Sequence, residues 1–262
     1  MKTNKSIMDF SSVNNFAVRY LNTYYRVVDS DEVAITKFLV RQYRKINRNV
    51  EILEIGCGPT IHHLIPAIPY AKKIVMADFL NENLYQIKKW IDRDITAHNW
   101  NNFTKLALQF EGVNASIEEI AIRENKLRSL INLAHCNLMK DSPLDGYSQF
   151  SIVCCFYCAE EVGISKLEWA NVIRRVASLI LPGGYLFLVS LRDTDFYKLI
   201  DHSGKEEIFP SASITEKDIL NLLPSIGFSS NTIEIEVEET PNMKHYGVNG
   251  IILVSAQKGG CE

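Results

Sequence analysis

A short glycine-containing segment and one later carboxylate are the first residues whose spacing suggests chemistry. Gly56 and Gly58 follow directly on the apolar run Val50–Ile55, where small residues allow a tight turn and let a ligand approach the backbone. Asp78 ends the next apolar run, 22 positions after Gly56. A carboxylate at that place can accept hydrogen bonds from both hydroxyl groups of a ribose. The turn and the acid together predict a site for a nucleoside-containing cofactor.

The residues after this turn argue against a dinucleotide. A dinucleotide-binding turn carries a third glycine for close helix packing, whereas residues 59–63 here read Pro-Thr-Ile-His-His. We therefore disfavour NAD and FAD. A purely structural interpretation stays open, in which the glycines only make a tight connection and Asp78 is a solvated acid at a strand end.

Acidic and aromatic residues follow two later apolar runs, which are predicted below as the fourth and fifth strands. Tyr157 and Glu160 come directly after the first of these runs. Asp193 and Asp195 come after the second. Because open α/β sheets bind ligands at the carboxyl ends of their strands, we expect the three carboxylates to receive a cationic amine there. For Asp193 and Asp195, a solvated turn with a helix-capping acid is the open alternative.

The cysteines indicate neither a disulfide framework nor a metal site. Cys155 and Cys158 form one Cys-x-x-Cys pair, but no second pair and no matching histidine group accompanies it. We therefore predict that the protein holds no metal. Most of the cysteines fall inside apolar, strand-like segments, and we expect all six to be reduced in a cytoplasmic compartment: Cys57, Cys136, Cys154, Cys155, Cys158 and Cys261.

Composition and charge exclude several classes of protein. The 262 residues include 28 lysines and arginines against 31 aspartates and glutamates, so the formal charge is −3 and no basic excess exists for a phosphate backbone. Nucleic acid is therefore not expected as a partner. No run of about 18 apolar residues occurs, and the first residues lack the apolar core of a secretory signal. We expect neither a membrane span nor secretion by that route.

Short apolar runs alternate with longer amphipathic segments, a pattern typical of βαβ units. Such units form a mostly parallel sheet with helices on both faces, so we predict an α/β fold. The predicted strands occupy residues 50–55, 73–78, 130–137, 150–156, 185–190, 232–237 and 250–256. The predicted helices occupy residues 14–25, 31–43, 81–90, 116–128, 165–180 and 215–226.

Three further segments refine this architecture. No long helix separates the last two predicted strands, which favours an antiparallel pair at the C-terminal end. Residues 181–184 read Leu-Pro-Gly-Gly and predict a turn before the fifth strand. The Asn-rich residues 90–111 predict an irregular surface excursion near the mouth of the site.

Four segments resemble the family of nicotinamide, phenylethanolamine and indolethylamine N-methyltransferases. They are the tyrosine-rich stretch 19–25, the Gly-x-Gly-Pro-Thr turn at 56–60, the strand end and helix start at 78–84, and the turn at 181–184. The similarity extends from residue 16 to residue 258. It implies a single domain over residues 1–262, with a Rossmann-like, seven-stranded class I methyltransferase sheet. It also implies that residues 1–48 form a helical lid and that the cofactor is S-adenosyl-L-methionine.

The resemblance also implies which residues bind this cofactor. Asp78 would hold the ribose, and Tyr20 and Tyr25 would close over the sulfonium and the carboxylate, since a ring face suits a cation and a phenol suits a carboxylate. A helical packing stripe is the open alternative for these tyrosines. The full implied set is Tyr20, Tyr25, Gly56, Cys57, Gly58, Thr60, His62, Asp78, Phe79, Asn83, Asn137, Leu138 and Phe156.

The resemblance likewise implies an acceptor site after the fourth and fifth strands. The implied substrate-binding residues are Tyr157, Glu160, Ser190, Asp193, Thr194 and Tyr197. The implied catalytic residues are Tyr20, Glu160, Asp193 and Tyr197. One carboxylate would take the proton of the acceptor, because only a neutral amine carries a free lone pair.

Three positions depart from the family pattern. His62 replaces a tyrosine, Asn137 replaces an aspartate that holds the adenine amino group, and Ser190 replaces the acid of nicotinamide-methylating members. Nicotinamide is therefore disfavoured. We predict methyl transfer to a small-molecule amine by a monomer or weak homodimer without a membrane partner. Two alternatives stay open: an enzyme that cyclises the cofactor's own chain to azetidine-2-carboxylate with release of methylthioadenosine, and a non-catalytic cofactor-binding protein.

Overall fold

The computed structural model of the chain describes residues 15–46, 49–200 and 204–260, which contain nine strands and eight α-helices. The strands are β1 (Val50–Ile55), β2 (Ala71–Asp78), β3 (Ile131–His135), β4 (Phe150–Phe156), β5 (Ile180–Leu191), β6 (Phe196–Ile200), β7 (Glu206–Pro210), β8 (Glu234–Glu239) and β9 (Gly250–Gln257). Apolar and β-branched residues dominate the central strands, as expected for strands that are buried on both faces.

The central sheet contains seven strands in the order β3-β2-β1-β4-β5-β9-β8. β1 to β5 run parallel to one another, whereas β9 is antiparallel to both β5 and β8. The predicted α/β sheet and its antiparallel C-terminal pair are therefore confirmed. Strand order reverses between β1 and β4, and ligands of open α/β sheets bind beside such a reversal.

The helices cover both faces of this sheet. They are α1 (Phe16–Tyr24), α2 (Ser30–Ile46), α3 (Asn81–Ile91), α4 (Asn101–Glu111), α5 (Ile117–Leu130), α6 (Ala159–Val162), α7 (Lys166–Ser178) and α8 (Glu216–Ser225). Shorter 3₁₀ segments occupy His62–Tyr70, Ser230–Thr232 and Pro241–Tyr246. α7 begins with a capping box between Ser165 and Glu168, which satisfies backbone groups that the helix start would leave unpaired.

Two apolar layers fill the faces of the sheet, and a third cluster lies above its carboxyl edge. One layer includes Phe38 of α2 and Trp100, and the other includes Trp169 of α7. The third cluster joins Phe16 of α1 to Phe209 of the β6–β7 hairpin. Apolar contact between α1 and this hairpin therefore holds α1 over the edge where a ligand would bind.

The stretch predicted as an irregular surface excursion is largely helical, so that prediction is wrong. Residues 101–111 form α4, and Trp100, Phe103, Ala107 and Leu108 are buried. Their spacing of three and four positions is that of one helix face, and burial of that face outweighs the Asn-rich composition of the exposed one.

The segment before the fifth strand and the residues after it also differ from expectation. The Leu-Pro-Gly-Gly segment lies inside β5, where Gly183 has a φ of +74° and the pairing with β4 shifts register. Beyond β5, the chain forms the antiparallel β6–β7 hairpin, which was not predicted. Its pairing involves only ten residues outside the main sheet, so the strand-like alternation is short.

Some predicted features fall outside the described residues. Asn14 of the first predicted helix and Cys261 are among them, as are parts of the predicted lid at residues 1–14 and 47–48. Among the helices that the structure describes, none has the length and apolar character needed to cross a membrane.

Candidate active site

The glycine turn after β1 is held by the carboxylate at the end of β2. Gly56 and Gly58 have φ angles of +68° and +58°, a left-handed conformation that favours glycine. The backbone N–H groups of Gly58 and Leu80 each donate to Asp78 at 2.8 Å, and the Asn83 amide donates at 3.0 Å. Burial raises the pKa of Asp78, while these three donors lower it. Asp78 therefore fixes the shape of the turn.

The two glycines of the turn meet different surroundings. A Cβ atom added to Gly56 would come within 2.0 Å of the Cys158 sulfur, so close packing against the segment after β4 requires glycine there. At Gly58 no atom lies within 4 Å of an added Cβ, so the space beside it is open. The first glycine permits close packing, and the second leaves room for a ligand.

A cavity of about 860 Å³ opens beside this turn. It lies at the carboxyl edge of the sheet, where ligands of open α/β sheets bind. We call it the cofactor cavity. It brings together all but one of the residues predicted to bind the cofactor: Tyr20, Tyr25, Gly56, Cys57, Gly58, Thr60, Asp78, Phe79, Asn83, Asn137, Leu138 and Phe156.

Glu54 of β1 also lines the cofactor cavity, and it was not predicted. Its side chain is buried, Oε1 lies 3.3 Å from His63 Nδ1, and Oε2 has no hydrogen-bond partner among the described residues. Burial raises the pKa of Glu54, while His63 lowers it. An unpaired buried carboxylate oxygen at a cavity wall suits a ligand ammonium group. The sequence signal that could have indicated Glu54 is an acidic residue near the end of an apolar run.

His62, the remaining residue predicted to bind the cofactor, lies outside the cavity, and His63 lines it instead. The His62 ring stacks on Trp100 with a centroid distance of 4.9 Å and an interplanar angle of 7°. His62 Nε2 lies 2.8 Å from a carboxylate oxygen of Glu32, and His63 Nε2 lies 3.4 Å from the same oxygen. These contacts hold His62 between α2 and α4, away from the glycine turn.

Glu32, His62 and His63 form a buried ion-pair cluster. Burial alone would raise the pKa of Glu32, but the two histidines bring it well below its usual range. Burial lowers the pKa of His62 to about 4. Burial would also lower the pKa of His63, but Glu32 and Glu54 raise it to about 9. At neutral pH, the negative charge of Glu32 is therefore balanced by a protonated His63.

A second cavity of about 720 Å³ adjoins the cofactor cavity. Its walls come from α1, the start of α2, β6 and the 3₁₀ segment Pro241–Tyr246. We call it the acceptor cavity. It is rich in tyrosine, and four residues line both cavities and so form the boundary between them: Tyr20, Tyr25, Tyr157 and Glu161.

The carboxylate at this boundary belongs to Glu161, whereas the prediction named its neighbour Glu160. Glu160 lines neither cavity, is fully buried, and accepts a hydrogen bond of 2.8 Å from the Leu191 backbone N–H. Glu161 accepts one of 3.1 Å from the Tyr197 hydroxyl. Successive side chains of the one-turn helix α6 point in different directions, so only one of two adjacent acids faces the cavities.

Burial affects the acidity of both glutamates. It raises the pKa of Glu160 to about 7, although the Leu191 N–H lowers it. It raises the pKa of Glu161 well above the usual range, and the nearby Glu160 carboxylate raises it further. The Tyr197 hydroxyl lowers it only in part. Glu161 is therefore an unusually strong base for a carboxylate.

The other residues predicted to bind or activate the acceptor divide into two groups. Tyr157 and Tyr197 line the acceptor cavity. Asp193 is exposed, has a φ of +46°, and accepts a hydrogen bond of 3.0 Å from the Ser213 hydroxyl. The segment that links β5 to the β6–β7 hairpin lies outside both cavities. The residues that line neither cavity are Ser190, Asp193, Thr194 and Asp195.

The tyrosines of α1 face the cavities and also pack against one another. The Tyr20 ring centroid lies 5.0 Å from that of Tyr24 and 5.6 Å from that of Tyr25. Burial raises the pKa of Tyr20 far above its usual range, and nearby carboxylates including Glu161 raise it further. The phenol of Tyr20 therefore stays protonated and can donate a hydrogen bond at any physiological pH.

The five described cysteines are free thiols. Burial raises the pKa of Cys57, and it raises that of Cys136 to about 12, so both stay protonated at neutral pH. Across the described ranges, only Glu32, His62 and His63 bring three metal-ligand atoms within 4.8 Å of one another. No cysteine belongs to that group, and its atoms already form the ion pairs described above.

Comparison with known proteins supports the predicted relationship. A model of the NNMT/PNMT/TEMT family matches residues 6–259 of the chain. The chain belongs to this family. The family resemblance predicted from the sequence is therefore confirmed.

The chain is similar to characterised N-methyltransferases over most of its length. It is 30% identical over 253 residues to indolethylamine N-methyltransferase from Mus musculus, covering 92% of this chain and 91% of that protein. It is 24% identical over 226 residues to nicotinamide N-methyltransferase from Homo sapiens, covering 82% of this chain and 83% of that protein.

Solved structures share the fold at lower sequence identity. The complex of DhpI with SAM and HEP has a TM-score of 0.59 at 12% identity, covering 97% of this chain and 99% of that one. The N-methyltransferase NodS from Bradyrhizobium japonicum WM9, in complex with S-adenosyl-L-homocysteine, has a TM-score of 0.56 at 13% identity, covering 94% and 99%. The predicted class I methyltransferase fold is therefore confirmed.

Proposed function

We propose that the protein transfers a methyl group from S-adenosyl-L-methionine to a small-molecule amine. The observation that carries this proposal is the boundary between the two cavities, where Tyr20, Tyr25, Tyr157 and Glu161 line both. A methyl transfer between two bound molecules needs two adjoining compartments and a base where they meet. The family relationship supports the same reaction class.

The walls of the cofactor cavity fit S-adenosylmethionine in charge and shape. Asp78 would hold the ribose hydroxyl groups, and Phe79, Leu138 and Phe156 would enclose the adenine. The unpaired Oε2 of Glu54 would accept from the amino group of the methionine part. When bound, S-adenosylmethionine supplies a methyl group carried on a positively charged sulfur.

Glu161 would hold the amine and take its proton. An ammonium group has no free lone pair, so the acceptor must lose a proton before or during attack. Because its pKa is raised, Glu161 can remove a proton from an ammonium group more readily than an exposed carboxylate can. The Tyr20 and Tyr157 rings would keep water from the acceptor nitrogen and present their faces to a cation.

The acceptor cavity favours this reaction over the alternatives. An enzyme that cyclises the cofactor's own aminobutyrate chain needs no compartment for a second molecule, yet a second, tyrosine-lined cavity adjoins the cofactor cavity here. A non-catalytic binding protein needs no basic carboxylate at the boundary. The two alternatives predict different outcomes of a product assay: the cyclase forms methylthioadenosine, and the binding protein forms no product.

Incubation with methyl-labelled S-adenosylmethionine, alone and with a panel of amines, tests the proposal. We expect a labelled amine and S-adenosylhomocysteine in equal amounts, and only when an amine is present. Methylthioadenosine formed without an amine would instead support the cyclase. No product with any amine would support a binding protein.

We further propose a small-molecule substrate, a cytoplasmic location and a single domain. The absence of a basic excess supports a small-molecule substrate and no nucleic-acid partner. The five described cysteines are free thiols, which suits a cytoplasmic, reducing compartment. We also propose one methyltransferase domain over residues 1–262, a cap within residues 1–48, and a monomer or weak homodimer.

A further inference from the structure

The acceptor cavity has acidic side chains in its wall and no basic side chain within the described ranges. Four acidic residues line it, together with six tyrosines, and no lysine, arginine or histidine does so within the described ranges. The acidic residues are Asp29, Asp31, Glu32 and Glu161. Buried carboxylates are normally paired with a cation, so each of these needs a separate account of its partner.

Two of the four acids have hydrogen-bond or ion-pair partners, and one of these two is also partly exposed to solvent. Glu32 is paired with His62 at 2.8 Å and lies 3.4 Å from protonated His63. Asp29 is only partly buried and accepts hydrogen bonds from the Ser30 backbone N–H at 2.9 Å and the Asn242 amide at 3.2 Å. Neither acid leaves a buried charge uncompensated.

Asp31 differs from its neighbour Glu32. Its side chain is 5% exposed and accepts a hydrogen bond of 3.0 Å from the Tyr157 hydroxyl. It forms no ion pair with any lysine, arginine or histidine in the part of the chain that the structure describes. Burial and the nearby Glu32 carboxylate raise the pKa of Asp31 to about 7. Burial thus favours the protonated form of Asp31 in the empty cavity, and a ligand cation beside it would favour the ionised form.

Asp31 and Glu161 occupy different places in the acceptor cavity. Glu161 lines both cavities, so it lies at the end where methyl transfer would occur. Asp31 lines the acceptor cavity alone, so it is set back from that end. The Tyr157 hydroxyl donates to Asp31 at 3.0 Å, and Tyr157 and Tyr20 line the acceptor cavity together with Glu161. The cavity thus offers two separate carboxyl groups beside an aromatic wall.

Resting on the proposed function, we propose that Asp31 forms a second ammonium site and that the preferred acceptor is a diamine. One amino group would lie at Glu161 and receive the methyl group. The other would stay protonated, pair with Asp31, and lie against tyrosine rings, whose faces attract cations. A monoamine would leave Asp31 without a cation and so would bind less tightly.

Matched pairs of amines test this site by binding, without turnover. Diaminobutane and butylamine, and para-xylylenediamine and benzylamine, are titrated calorimetrically into the protein saturated with S-adenosylhomocysteine. We expect the diamine of each pair to bind at least tenfold more tightly, because hydrogen bonds to charged groups contribute that much. Equal affinities within both pairs would overturn the proposal.

Variants assign the preference to Asp31. Asp31→Asn should reduce the affinity ratio of diamine to monoamine to about one, while Asp92→Asn, at an exposed acid outside both cavities, should leave the ratio unchanged. Asp31→Glu keeps the charge on a longer side chain and should shift the best diamine to one with one methylene fewer. If Asp31→Asn does not fold, Asp31→Glu takes its place in the binding test. An unchanged ratio in folded Asp31→Asn, or an unchanged best length in Asp31→Glu, would overturn the proposal.

The proposed function fails in a different way. In the turnover assay, its failure appears as no methylated product from any mono- or diamine. The binding comparison still decides whether the Asp31 site prefers diamines. Methylation of monoamines and diamines with equal efficiency and equal affinity would instead retain the function and remove the second site.

Discussion

The two cavities differ in how the chain builds them. The cofactor cavity is made at strand ends, where backbone N–H groups of Gly58 and Leu80 fix the carboxylate of Asp78. The acceptor cavity is made from side chains of α1, α2, α6, β6 and a late 3₁₀ segment, which are far apart in sequence. Backbone geometry thus determines one site, and the meeting of distant side chains determines the other.

Their carboxylates differ accordingly. Asp78 accepts three hydrogen bonds, two of them from backbone groups that cannot rotate away. Glu161 accepts one from the phenol of Tyr197, and Asp31 accepts one from that of Tyr157. The cofactor site is therefore fixed before a ligand arrives, while the acceptor site keeps carboxyl groups with few hydrogen bonds for the ligand to meet. Four predictions test this difference, beginning with the largest expected effect.

Removal of the acid in the cofactor cavity should nearly abolish cofactor binding. Asp78→Ala removes two charge-assisted hydrogen bonds to the ribose, worth about 3 kcal/mol or roughly a hundredfold in affinity, and also loosens the glycine turn. Calorimetry with S-adenosylhomocysteine measures the effect. Asp92→Ala, an exposed acid after α3, is the control and should bind normally. Normal binding by Asp78→Ala would remove the assignment of this cavity.

The adjacent glutamates of α6 should behave differently in turnover. Glu161→Gln should lower the rate of methyl transfer by roughly a hundredfold, because general bases typically contribute at least that much. Its cofactor affinity should stay within about fivefold of wild type. Glu160→Gln is the matched control and should keep its rate within about threefold, since Glu160 lines neither cavity. A larger loss of rate in Glu160→Gln than in Glu161→Gln would show that Glu160 is the base.

Glu160 should instead affect how stability varies with pH. Its pKa of about 7 in the folded protein exceeds the ordinary 4.5, so the folded state retains a proton that the unfolded chain releases. The associated stability is complete below about pH 4.5 and is lost as the pH rises through about 7. Between pH 5 and pH 8 we expect the free energy of unfolding of Glu160→Gln to fall by about 2 kcal/mol less than that of the wild-type protein. Urea unfolding at each pH measures this free energy. The same change with pH in both proteins would contradict the prediction.

The smallest effect is expected from the hydroxyl group at the boundary. Tyr20→Phe keeps the ring contacts with Tyr24 and Tyr25 and loses only the phenol, so we expect about a tenfold fall in kcat/KM and a nearly unchanged Tm. Tyr20→Ala should lose more activity because the aromatic wall opens. A large fall in Tm with near-normal activity in Tyr20→Ala would show that Tyr20 only packs.

The sequence by itself determined the parts of the protein that depend on local patterns. β1 and β4 run over the residues predicted for them, and the glycine turn and Asp78 meet as expected. Such features are readable because a buried strand requires an apolar run, and a tight turn requires residues that tolerate a positive φ. Asp78 was predictable for the same reason, since its place at a strand end fixes its position relative to the turn.

Only the tertiary structure decided which member of each adjacent pair faces a cavity. That Glu161 rather than Glu160 and His63 rather than His62 line a cavity depends on side-chain direction, and so does the pairing of Glu32, but not Asp31, with a histidine. A one-residue difference turns a side chain by about 100° around a helix, and no local pattern reports which direction leads to a cavity. The answer depends on where α1, α2 and the β6–β7 hairpin lie, which is set by apolar contacts between segments far apart in the chain.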